Sequence, residues 1–199
     1  SVIYEEGISA IPRNALKYCS NVSSVTLPST VKKIGNYAFC GCSALKDISI
    51  TKNIETIGAS AFSGCSSITA VDISSLTEIA SRTFYGCSSL TSIVIPDTVK
   101  KIGDYAFVDC SGLTEVTLPI SAEYNIGGAS NGGSFYTCKN VQKITYTVGD
   151  GSIFDPEEDI YGYTLPDAAR EALTSVIYEE GISAIPRNAL KYCSNVSSV

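Results

Sequence analysis

The chain has 199 residues, 14 Lys and Arg against 20 Asp and Glu, a net charge of −6 and no His. That acidity disfavours nucleic acid and anionic membranes as partners, and no apolar run approaches the roughly 18 residues of a spanning helix. Without His, the commonest general base and every Ser-His or Cys-His nucleophile pair are gone, so an enzyme is not expected.

Residues 1–23, SVIYEEGISAIPRNALKYCSNVS, hold the first statement of a pattern that fills most of the chain. Counted from the Cys of each turn (Cys19, Cys42, Cys65, Cys87, Cys110, Cys138 and Cys193), the gaps are 23, 23, 22, 23, 28 and 55. A period of about 20 to 29 residues belongs to solenoids, in which a single turn cannot bury its apolar side chains alone.

Within each turn the columns are regular. Val25, Ile48, Val71, Ile93, Val116 and Ile144 follow the Cys, and two residues later come Leu27, Ile50, Ile73, Ile95, Leu118 and Tyr146. Spacing of two predicts a strand with one face buried. A second short extended segment is predicted around Ile34, Ile57, Ile79 and Ile102. Phe39, Phe62, Phe84, Phe107 and Phe135 then sit on a predicted helical turn that returns the chain to the Cys, with Leu16 in their place in the first turn.

The turns of residues 24–114 are the most regular. From Glu115 the pattern loosens: Gly127, Gly128, Gly132 and Gly133 mark a bulge that stretches one turn to 28 residues. Residues 143–174 break the pattern as an irregular insertion, read as a hairpin and a short helix starting at Pro166, and Leu173 and Val176 recover the columns. Residues 175–199 then repeat residues 1–25 without a change, at an offset of 174. Tandem units of 174 residues in a longer protein are preferred over an artificially duplicated end. The open apolar first turn and the absence of Met also suggest an internal segment of a longer array. The expected division is 1–142 (repeat turns), 143–174 (insertion within the same solenoid) and 175–199 (start of the next unit).

The turns VTLPSTVKKIGNYAFCGCSALKDI and IVIPDTVKKIGDYAFVDCSGLTEV resemble the bacterial surface type of leucine-rich repeat called BspA-like or Treponema-type. The resemblance covers about residues 1–142 and 175–199. It implies an α/β repeat solenoid: a right-handed coil of about seven turns with short parallel strands and short helical or 3-10 turns, plus the one irregular insertion. It also implies an extracellular, cell-surface or secreted protein of host-associated bacteria that adheres to host proteins or to other cells. No catalytic motif comes with it.

Zinc is not expected, because there is no CxxC pair beside the missing His, and the Cys column reads as small buried side chains with weak S–H donors. Cys40, two residues before Cys42, is the exception and is expected on the outer side as a free thiol. The acidic cluster Asp150, Asp155, Glu157, Glu158 and Asp159 offers oxygen ligands but lacks EF-hand spacing, so it reads as solvated and no metal or cofactor is assigned.

The outward side chains of the regular strand, Thr26, Ser49, Asp72, Val94, Thr117 and Thr145, form the candidate ligand surface. Ser and Thr are also simply good strand-surface residues, and no aromatic anchor lies on this ribbon. The expected function is non-catalytic recognition or adhesion to a protein or glycan ligand on host or neighbouring cells. The alternative is a structural spacer or stalk without its own ligand. Because residues 175–199 can fill the place of residues 1–25, end-on or swapped self-association is a further expectation.

Overall fold

The structure is a computed structural model that describes residues 1–48, 50, 52–120, 122–124, 133–148, 172–180 and 194–198. The acidic cluster, the expected helix at Pro166, Ser49 and Cys193 lie outside the described residues.

Thirteen strands are described. One side of the coil carries β1 (Val2–Ile3), β3 (Ser24–Thr26) and β5 (Asp47–Ile48) as one parallel sheet, in the order β1-β3-β5. On the same columns β8 (Ser92–Val94), β10 (Glu115–Pro119), β12 (Lys143–Thr147) and β13 (Ser175–Tyr178) form a second parallel sheet. The predicted second segments are two-residue strands. β2 (Ala10–Ile11), β4 (Lys33–Ile34) and β6 (Thr56–Ile57) make one sheet; β7 (Glu78–Ile79), β9 (Lys101–Ile102) and β11 (Glu123–Tyr124) make another. Register is like on like, as in Val25↔Ile48 and Val116↔Ile144, so each apolar column stacks on itself. β13, the second copy of the opening SVIY, pairs with β12, and the Ser175↔Ser198 bridge repeats the register of β1 on β3. Leu173 and Val176 are buried at the recovered column positions.

The core is a set of parallel ladders. Phe39, Phe62, Phe84, Phe107 and Phe135 stack with ring centroids 5.3, 5.7, 5.4 and 4.8 Å apart. The first four are 0% exposed and Phe135 4%. Each buried Phe is worth about 1.5–3 kcal/mol, and the ring pairs add about 0.5–1.5 kcal/mol.

The expected helical turn around the Phe is not a helix. Among the described residues no helix occurs, and this segment is a run of tight turns. Alternate amides bond in two directions: Ala38, Cys40 and Cys42 donate within the turn to the carbonyls of Gly35, Tyr37 and Phe39, while Tyr37, Phe39 and Gly41 donate to Ala59, Ala61 and Ser63 of the next rung. Half of the donors a helix would need are thus committed to the neighbouring rung. Left-handed residues make the alternation possible: Tyr37 (φ 58), Ser60 (φ 55), Arg82 (φ 56) and Tyr105 (φ 59) at one corner, and Gly41 (φ 76), Gly64 (φ 73) and Gly86 (φ 70) at the other. The second corner is where glycine has no Cβ penalty.

Close approach explains a different glycine column. A Cβ on Gly35 would lie 2.6 Å from the Arg13 nitrogen, and one on Gly103 would lie 2.5 Å from the Ser81 nitrogen. Gly35, Gly58 and Gly103 each donate at 2.8 Å to the preceding rung. The fourth rung has Ala80 at this position, and among the described residues no matching bond joins Ala80 to Ile57. There the β2-β4-β6 sheet ends and the β7-β9-β11 sheet begins.

Candidate ligand surfaces

Register places Ile3 beside Thr26, and Val94, Thr117, Thr145 and Ile177 in one row across the four-stranded sheet. Thr26 is exposed, Thr117 and Thr145 are half-buried, and Val94 is 64% exposed. Ile3 and Ile177, at 73% and 40% exposed, lie on the same row. Sequence reasoning left both out, although the period-two spacing from Val2 and Val176 marks them. Parallel sheets normally have both faces covered, so a wet row of β-branched side chains is a surface suited to a partner.

Asp72 is exposed but belongs to no strand. Its carboxylate accepts from the Ser74 amide at 3.0 Å, and the Ser74 side chain together with that amide holds it below its ordinary pKa. This local turn fits the shorter fourth rung, where Cys65 to Cys87 spans 22 residues. The ribbon is therefore divided into two sheets on either side of Asp72.

The tight-turn side carries a second surface. In the third rung Ser60 and Ser63 are small, whereas the second rung raises Tyr37 and the fourth Arg82 and Tyr85. With Tyr105, Val108 and Asp109 of the fifth rung and Tyr136 and Thr137 of the sixth, they line an open groove of about 560 Å³. Cys40 is half-buried in its wall, as a free thiol. The Arg82 guanidinium lies over the Tyr105 ring at 4.5 Å from its centroid. Thr137 Oγ1 donates to Asp109 Oδ1 at 2.8 Å, and the Asp109 amide donates to Thr137 Oγ1 at 2.9 Å. A hydrogen bond to Asp109 raises the pKa of Tyr85. Sequence reasoning missed this groove; its signal is Tyr at the positions five and two residues before the column Cys.

The thiols are chemically quiet. The Sγ of Cys42, Cys65, Cys87, Cys110 and Cys138 donates to a carbonyl of the preceding rung at 3.1, 3.1, 3.3, 3.2 and 3.0 Å. Burial pushes the Cys42 thiol up to about 11, and Cys65, Cys87, Cys110 and Cys138 well above the ordinary thiol range. A thiolate nucleophile is thereby suppressed at these five positions. Among the described residues no group of three or more His, Cys, Asp or Glu could hold a metal, and no helix is long and apolar enough to cross a membrane.

Parallel rungs of strand, short strand and tight turn, stacked on Phe and Cys ladders, define a leucine-rich-repeat solenoid. The chain belongs to the BspA type of leucine rich repeat region, which matches in six copies over residues 9–142. The T. pallidum leucine rich repeat protein TpLRR is 32% identical, with 71% of this chain and 69% of that one covered and a TM-score of 0.62. A leucine rich cell surface protein of Faecalibacterium prausnitzii is 22% identical over 99% of this chain and 68% of its own, with a TM-score of 0.58. The pneumococcal vaccine antigen PcpA is 23% identical over 89% of this chain and 40% of its own, with a TM-score of 0.57. The two less identical structures share the fold. No curated protein matches the chain by sequence.

Proposed function

We propose that the chain is a non-catalytic recognition module of a cell-surface or secreted protein, binding host proteins or glycans through its strand ribbon. The observation that carries this reading is the solvent-facing row Val94–Thr117–Thr145–Ile177 on a parallel sheet, with Val94 and Ile177 exposed and the two Thr half-buried, continued on the other sheet by Ile3 and Thr26. The suppressed thiols and the missing His support the non-catalytic part. The cell-surface protein of F. prausnitzii supports the location. A solenoid offers such a row as an extended face, and repetition of weak contacts gives avidity. The test is association of the folded chain with immobilised host matrix proteins and glycans. Lys substitution of Thr26, Thr117 and Thr145 is expected to abolish it, and no association across the panel would count against the reading.

The second reading is a spacer. The backbone bonds of the tight turns run from rung to rung, which suits a stiff rod. In that case the same Lys variants leave the function of the parent protein unchanged, because only length and stiffness matter.

A further inference from the structure

We propose that the groove across the tight turns of the second to sixth rungs is a binding site for a neutral oligosaccharide. This deepens the recognition reading and rests on it, but uses a surface other than the strand ribbon.

Shape supports a small or chain-like ligand. The groove's volume of about 560 Å³ falls in the range of ligand pockets, roughly 300–1,000 Å³, rather than that of a flat protein interface. It spans the second to sixth rungs along the coil, and it opens at the third, where Ser60 and Ser63 lie between Tyr37 of the second and Arg82 and Tyr85 of the fourth. Val108 gives the floor an apolar spot between Tyr85 and Tyr136 of the adjoining rungs.

Chemistry narrows the class. A pyranose ring has a face of C–H groups and a rim of hydroxyls that both donate and accept. Tyr rings offer broad apolar faces with a polar tip. Ser60, Ser63 and the Tyr phenols donate and accept in kind. The one guanidinium and the one carboxylate of the lining, Arg82 and Asp109, offset each other, so nothing in the lining selects a charged ligand. Both are held in place. Stacking on Tyr105 fixes the plane of Arg82, whose fork donates in that plane, and Thr137 holds the Asp109 carboxylate.

Backbone conformation gives an independent reason. Where the second to fourth rungs have Gly41, Gly64 and Gly86, the first has Tyr18 (φ 64), outside the groove, and the fifth and sixth have Asp109 (φ 60) and the β-branched Thr137 (φ 74). A β-branched residue in this region is a genuine outlier, and such strain gathers at ligand sites. These two residues bond each other across the rungs and form one end of the groove.

The experiment is an NMR and calorimetric titration of the whole chain with neutral gluco-, galacto- and N-acetylglucosamine oligosaccharides of three to six units. One of them is expected to bind, with Tyr85→Ala and Tyr136→Ala each weakening it at least about tenfold. Thr117→Lys and Thr145→Lys on the ribbon are expected to change it less than about twofold. Should a Tyr variant unfold, Ser63→Trp fills the low third rung from the solvent side and is expected to block binding in a folded chain. The proposal is overturned by no saturable binding of any neutral saccharide, by preference for a sulfated one, by a peptide taking the groove instead, or by binding that survives Ser63→Trp. Sugar binding lost only in the ribbon variants would overturn the groove and leave the recognition reading standing; no ligand on either surface would sink both.

Discussion

The tight-turn side and the strand side of the coil solve the same stacking problem with different continuity. Across the junction of the third and fourth rungs the turn side is unbroken: Ser60, Phe62 and Gly64 donate to Ser81, Thr83 and Tyr85, and Phe62 stacks on Phe84. On the strand side both sheets stop there. Two sequence changes in the fourth rung account for it. The loop after Ile73 is one residue shorter, and Ala80 stands where its neighbours have a glycine pressed against the rung before. Hydroxyl side chains bridge the gap, with Ser75 Oγ donating to the Ile54 carbonyl at 2.6 Å and Thr98 Oγ1 to that of Leu76 at 2.7 Å. The ladder of turns carries the coil, and the strands follow where the rungs allow.

Alkaline pH attacks the thiols of the turn side and is expected to have the largest effect. An unfolded thiol ionises near pH 8.5, whereas in the folded chain Cys42 waits until about 11 and Cys87, Cys110 and Cys138 are held well above the ordinary range. The raised folded value means that stability is fully present below about pH 8.5. It falls as pH rises toward 11, by about 1.4 kcal/mol per pH unit for each thiol kept protonated. Urea midpoints measured under reducing conditions should drop steeply between about pH 8.5 and 10; a flat profile would mean that the thiols titrate as exposed ones.

Phe84→Ala removes the ring that spans the junction, and a loss of about 3–5 kcal/mol is expected. Leu16→Ala, at the half-buried end of the same column, should cost less than half of that in the same denaturation assay. Equal losses would contradict the idea that burial in each rung comes from neighbours on both sides.

Gly103→Ala should reproduce between the fourth and fifth rungs the break that exists between the third and fourth. Its Cβ meets backbone at 2.5 Å, and crowding of this kind costs about 1–3 kcal/mol. Amide exchange of Lys101 and Gly103 is expected to speed up while that of Phe107 keeps its protection. The converse, Ala80→Gly, should have the smallest effect: β6 and β7 gain pairing, offset by about 0.5–1 kcal/mol of backbone entropy. New exchange protection at residue 80 with little change in midpoint is the expected result.

Much of this was legible in the sequence because a stacked coil repeats its constraints. The Val, Ile, Phe and Cys columns had to be core, since a rung has nothing else to bury them against, and Phe62, Cys65 and Ile93 are 0–2% exposed. The tight turn was misjudged as helical because Ala-Phe spacing says nothing about which rung receives each amide. The ribbon row could be read from the alternation of Thr26 and Val94 with buried neighbours, but its division at Asp72 depended on a one-residue deletion whose effect is three-dimensional. The groove was hidden because its depth is a difference between rungs: Ser60 and Ser63 matter only beside Tyr37 and Tyr85.

The corner at Tyr37, Ser60, Arg82 and Tyr105 holds side chains in a left-handed conformation that costs a residue with a Cβ about 1–2 kcal/mol. That penalty is set by the backbone and is similar among side chains that are not β-branched. A single codon change at such a corner therefore alters the chemistry shown to the outside without disturbing the inherited scaffold. Exchange among such side chains would leave the folding energy of each rung nearly level while the exterior changes.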